Sequence, residues 1–172
     1  IVVWYGLNNE GSEKISARLS GEDFGDLRVG INAANSNLTP EFILEDSIAD
    51  YLKTMKLFKD VGDYYDVNIS CPNTQEGEPF VDKKNLDKLL TAINKEIRPI
   101  TDKPIYVKLA ADMTLDEINV IVDACVEHGM DGVVCTNLAK PQYNTEHRPE
   151  EYPTVDGRLP EGKGAMSGLP LQ

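Results

Sequence analysis

Short apolar runs rich in β-branched residues alternate along the chain with stretches of helical period. The runs Ile1–Trp4, Arg28–Ala33, Tyr64–Ser70, Pro104–Ala110 and Asp131–Thr136 predict strands. They lack strict apolar-polar alternation, which predicts strands covered on both faces. Three helices are predicted between the later strands. The first is expected to start at Thr39-Pro40-Glu41, with Thr as cap and Pro at the first helical position. Its apolar stripe is Ile48, Tyr51, Leu52, Met55 and Phe58. The second runs from about Lys84 to Ile97, with Leu86, Leu89, Leu90, Ile93 and Ile97 on one face. The third opens on Thr114-Leu-Asp-Glu117, a capping-box pattern, buries Ile118, Ile121, Val122 and Cys125, and stops at Gly129.

Strand-helix alternation of this kind predicts βαβ units and a parallel sheet. No GxGxxG follows the first run and no GxxxxGK[ST] occurs, so the usual nucleotide-binding open sheets lose their signatures. A (β/α)8 barrel takes about 250 residues, and the chain has 172. The fold class is therefore α/β, with an incomplete TIM barrel of roughly five parallel strands as the barrel alternative to an open sheet. The opening IVVWYG has neither an initiator Met nor a basic flank and reads as the middle of a buried strand, so a fragment is expected. From Pro141 to Gly168 the sequence turns aperiodic and rich in Pro, Gly and charge, which predicts a long loop with few helix or strand residues.

The formal net charge is −12, which disfavours a nucleic-acid partner. Cys71, Cys125 and Cys135 form neither a CxxC pair nor an even disulfide framework, so a reduced, cytoplasmic setting is expected. No apolar run reaches the roughly 18–20 residues of a membrane helix. His128 and His147 stand apart from any ligand-spaced carboxylates, so no metal is expected. His128, at a helix end, reads as a surface residue complementing the dipole.

The candidate chemistry gathers at strand ends. Asn32 falls in VGINA, Asn68 near the end of DVNIS, Lys108 in IYVKLA and Thr136-Asn137 after VVC, while Asn8 follows the opening run. Ligands of parallel α/β folds bind at the carboxyl ends of strands. A single Asn there is more often a turn former. A set of them offers donors and acceptors together, as a planar ligand with amide edges requires. Cys71 lies in Ser-Cys-Pro-Asn-Thr, where a Pro stops the strand and leaves the thiol on the loop over that edge. Cys125, on a helix apolar face, and Cys135, in mid-strand, read as small buried hydrophobes.

The segment VNISCPNT resembles the one that carries the catalytic base in dihydroorotate dehydrogenases. YGLNNEG, VGINAANSN, YVKLAADMT, DGVVCTN and GAMSGLP continue the resemblance in order over nearly the whole chain. Its overall wording is nearest the quinone-dependent class 2 branch. Cys at the base position is instead the mark of class 1, Leu138 stands where a hydroxyl residue usually follows the substrate Asn, and QEGEPF departs from the class 2 loop.

The resemblance implies an oxidoreductase of pyrimidine biosynthesis that oxidises dihydroorotate to orotate with flavin mononucleotide (FMN). Cys71 matches the base. Asn8, Asn68, Asn73 and Asn137 match the orotate contacts, and Asn32, Lys108, Thr136 and Gly168 match the flavin contacts. Residues 1–172 then form the central part of one flavin-binding barrel domain lacking both ends, and in isolation the chain is expected to be inactive. The electron acceptor implied is a quinone. Membrane contact would come only through segments outside the chain, with a peripheral position at the inner membrane surface as the alternative to the cytoplasm. The competing readings are another FMN-dependent pyrimidine-ring oxidoreductase and a truncated, non-catalytic binding fragment.

Overall fold

The computed structural model describes residues 2–3, 6–36, 42–70, 79–139 and 165–167. The described elements are β1 (Val2–Val3), α1 (Ser12–Leu19), β2 (Gly30–Ala34), α2 (Leu44–Leu57), β3 (Tyr64–Asn68), α3 (Lys83–Glu96), β4 (Ile105–Lys108), α4 (Leu115–Glu127), β5 (Gly132–Val134) and β6 (Ala165–Met166). β2, β3, β4 and β5 form one parallel sheet in sequence order, each joined to the next through a helix. Four parallel strands with their helices are an arc of an incomplete (β/α)8 barrel.

Among the described residues the parallel sheet has four strands. Residues of the predicted opening strand pair antiparallel with β6 instead, Val2 opposite Met166 and Val3 opposite Ala165. A short β-branched run announces a strand without naming its partner, so periodicity alone could not make that distinction. Ala165 and Met166 also put a strand inside the predicted loop, whose residues 141–164 and 168 lie outside those described.

Helix α2 starts later than expected. Ile43 is extended (φ −119°, ψ 114°) and caps a helix beginning at Leu44, with Glu45 and Asp46 in the first turn facing the positive end of the dipole. Thr39, Pro40 and Glu41 lie outside the described residues. Helix α1 has no counterpart among the predicted elements. Ile15 and Leu19 are its only apolar residues packed on the core, and such a sparse stripe carries little period. Helices α3 and α4 match their predicted spans closely. Asp82 caps α3 through the Asn85 N–H, and both arms of the Thr114–Glu117 capping box are formed. Gly129 takes a positive φ of 65° after α4.

The helices cover one face of the sheet. Ile31, Ala33, Tyr65, Val67, Ile105 and Val107 point into a core completed by Tyr51, Met55, Leu86, Leu89, Leu90, Ile93 and Ile121. The expectation of two covered faces holds for β3, whose last four residues are all buried. It fails for β2 and β4, where burial alternates residue by residue. The opposite face carries Asn32, Asp66, Asn68, Tyr106 and Lys108. Register is pinned at the strand starts by a repeated device: Asp63 accepts the Val29 N–H at 2.7 Å, and Asp131 accepts the Ile105 N–H at 2.8 Å.

Candidate active site

The face opposite the helices is ordered in layers by the pleat. Register sets Gly30 beside Tyr64, then Asn32, Asp66, Tyr106 and Gly132 in a row, then Ala34, Asn68, Lys108 and Val134 nearer the strand ends. Its lower part is aromatic: the Tyr64 and Tyr106 rings meet edge to face at 5.6 Å. The Tyr64 ring lies across Gly30, where any Cβ would fall 2.3 Å from it. Glycine at 30 is what lets this ring fill the floor.

Above the floor, the amides are linked by hydrogen bonds. The Asn137 amide donates to Asn68 Oδ1 at 3.3 Å and to the Ser70 carbonyl at 2.5 Å. Asn68 donates to Asn32 Oδ1 at 3.2 Å, and Asn32 donates to Asp66 Oδ2. Backbone groups hold the upper end: the Ser70 N–H donates to Asn68 Oδ1 at 3.3 Å and the Leu138 N–H to Asn137 Oδ1 at 2.9 Å. The Tyr51 hydroxyl reaches through from α2 to the Asn68 carbonyl at 2.8 Å. Lys108 Nζ lies 3.9 Å from Asp66 Oδ2. Burial pushes the Asp66 carboxyl above its ordinary range, opposed by the Asn32 hydrogen bond and the Lys108 charge.

Four of the predicted site residues are therefore brought together: Asn32, Asn68, Lys108 and Asn137. Asn32 lies in mid-strand, not at the strand end. Thr136 is exposed just past β5 and bonds locally to the Asn137 carbonyl. Asn8 is exposed in the turn before α1, and the amide chain runs without it. Cys71, Asn73 and Gly168 lie outside the described residues.

Two other expectations are corrected. Cys135 is exposed, because β5 ends at Val134 and the residue falls beyond the strand. His128 stands at the C-terminal cap of α4 as expected but is only partly exposed: its side chain is 20% exposed and Nε2 lies 3.2 Å from Asp87 Oδ1 of α3. Cys125 is buried as expected, and burial pushes its thiol up to about 11. Asp66, Ser70 and Tyr51 were missed. The signal for Asp66 was a charge in mid-strand, two residues before Asn68 and hence on the same face. Among the described residues no group of three or more His, Cys, Asp or Glu could hold a metal, and no helix is long and apolar enough to cross a membrane.

A barrel arc of four parallel strands with a hydrogen-bonded polar face toward its strand ends defines an α/β protein of the barrel class. The solved structures similar to it carry the same architecture. Ligand-free DHODH from Eimeria tenella superposes with TM-score 0.68 at 24% identity, over 93% of this chain and 45% of that one. DHODH from the same organism in complex with ferulenol gives 0.65 at 23% identity, over 80% and 42%. The family described as Dihydroorotate dehydrogenase matches residues 1–171, and the chain belongs to that family.

Two curated relatives, both named dihydroorotate dehydrogenase (quinone), illustrate the match. The Thermobifida fusca protein is 34% identical over 100% of this chain and 45% of its own length. The Gloeobacter violaceus protein is 36% identical over 97% and 42%. The chain thus spans under half the length of these relatives.

Proposed function

We propose that the protein to which this chain belongs oxidises dihydroorotate to orotate, as the central part of one flavin-binding barrel domain. The observation that carries the reading is the amide chain Asn137–Asn68–Asn32 ending on Asp66 beside Lys108, in a member of this family. Asn8, Asn68, Asn73 and Asn137 are the proposed contacts to the pyrimidine, whose amide edges need donors and acceptors in one plane. Asn32, Lys108, Thr136 and Gly168 are the proposed contacts to FMN. The donor set fits such a group, since two amides and an ammonium share one face and Asp66 Oδ1 is buried there without a hydrogen-bond partner among the described residues.

When bound, FMN supplies the acceptor for the hydride that leaves C6 of dihydroorotate. Cys71 takes the proton from C5 as a thiolate. A free thiol has a pKa of about 8.5, so turnover rises with pH through that range unless local charge lowers it. Lys108 stabilises negative charge gathering beside it, and the fixed amides orient the ring for the transfer. A quinone is the proposed final acceptor, by similarity to the relatives so named.

The test uses the full native polypeptide. It should purify yellow and be bleached anaerobically by dihydroorotate, and dihydrouracil should not bleach it. Cys71→Ala should keep the bound flavin and lose rapid bleaching. A colourless protein, or a Cys71→Ala variant reduced at the normal rate, overturns the respective part of the reading.

A further inference from the structure

The Asn137–Asn68 end of the amide chain is fixed by backbone groups, whereas Asn32 accepts only from another side chain and donates only to Asp66 among its described hydrogen bonds. Asp66 stands in β3 between β2 and β4, in register with Asn32 on one side and Tyr106 on the other. It is 8% exposed. One oxygen, Oδ2, serves both Asn32 and Lys108, and the other, Oδ1, is buried with no hydrogen-bond partner among the described residues. Leaving a buried carboxylate oxygen unpaired is costly, so a carboxylate at this position contributes something other than stability.

We propose that Asp66 is a positioning residue that sets the orientation of Asn32 and Lys108 across three adjacent strands. An ionised carboxylate only accepts hydrogen bonds. Asn32 must therefore turn its NH2 toward Asp66 and its carbonyl toward the Asn68 amide, which is the direction the backbone-fixed end also requires. Lys108 pairs in register with Asn68, one layer nearer the strand ends, and its ammonium leans back toward the same carboxylate. Asp66 in this way fixes which edge of Asn32 and which position of the Lys108 charge a ligand meets. Among the described residues the charged group facing it is Lys108, the other titratable side chain in its row is the Tyr106 phenol, and β2 opposes it with the neutral Asn32. That the ligand held by Asn32 and Lys108 is FMN rests on the proposed function.

The experiment has a ligand-free arm and a ligand arm, both on the full native polypeptide. In the stripped apoprotein, the side-chain NH2 resonances of Asn32 are followed by 1H–15N spectroscopy against pH. They should move with the ionisation of Asp66 in the wild type and lose that titration in Asp66→Asn. Titration of the apoprotein with FMN should then give an affinity about tenfold weaker for Asp66→Asn, the loss expected for one charge-assisted contact. An Asn32 amide indifferent to pH in the wild type overturns the proposal, and this reading needs no variant to fold. Unchanged FMN affinity in Asp66→Asn overturns it as well. A wild type that binds no FMN sinks the functional reading instead, while the amide titration still decides the role of Asp66.

Discussion

The two faces of the parallel sheet come from the same strands, residue by alternate residue, and follow opposite rules. On the helix side, Ala33, Val67 and Val107 stand in register and are fully buried among α2, α3 and α4. On the other, Asn32, Asp66, Asn68 and Lys108 are tied into a polar chain that leaves a carboxylate oxygen unpaired among the described residues. Hydrophobic burial is non-directional and tolerates any well-filled packing. A chain of amides is directional, and each member's donor must meet the next one's acceptor. The difference teaches where each kind of substitution should be felt: stability on the first face, recognition on the second.

The largest expected effect breaks the helix side. Leu90 is fully buried on α3, and Leu90→Ala should cost about 2–5 kcal/mol, the range for emptying a packed core site. Chemical denaturation of the full native polypeptide reads this as a lower midpoint. A cost under about 1 kcal/mol would mean that this core collapses around the gap and is not closely packed.

A smaller effect is expected at the floor of the polar face. Gly30→Ala drives a methyl into the Tyr64 ring and should cost about 1–3 kcal/mol through overpacking. The double variant Gly30→Ala with Tyr64→Ala should cost less than the two singles added, because the clash is gone. Strict additivity would show that the ring does not rest on Gly30. Smaller again is the capping box of α4, which lies remote in sequence from the amide chain. Thr114→Ala should cost about 1 kcal/mol and leave ligand affinity unchanged.

Much of this division was legible in the sequence. Leu86, Leu89, Leu90, Ile93 and Ile97 carry the period of α3 so strongly that the helix and its buried face follow from spacing alone. Thr114 and Glu117 did the same for the start of α4, since a capping box is a local interaction. Asn32, Asn68, Lys108 and Asn137 stood out because amides and lysine are out of place in or beside strands. What was not legible depends on partners distant in sequence. The pairing of Val3 with Ala165 spans nearly the whole chain. The Tyr51 hydroxyl under Asn68 joins a helix to a strand, and nothing in the stripe containing Tyr51 distinguishes its hydroxyl from ordinary core. Asp66 was overlooked because β3 is buried on both faces and reads as a continuous core strand around a single charge.

That same residue supplies the smallest expected effect and the sharpest comparison of the two faces. Burial raises the Asp66 pKa above its unfolded value, although the Asn32 hydrogen bond and the Lys108 charge pull the other way. The folded chain therefore holds this proton more tightly than the unfolded one. The stability linked to it is fully present below the unfolded pKa and is lost as pH rises through the folded pKa. Asp66→Asn keeps the neutral form at every pH and removes this loss. The variant and the wild type should melt alike in acid, and the wild type should fall behind as the pH climbs toward neutrality. The other titrating groups are shared by the two proteins, so the melting-temperature gap against pH reports Asp66 together with its pairing to Lys108. A gap of the opposite sign at neutral pH would show that the ionised carboxylate holds the fold together, and the assignment of stability to one face and recognition to the other would fail at its central residue.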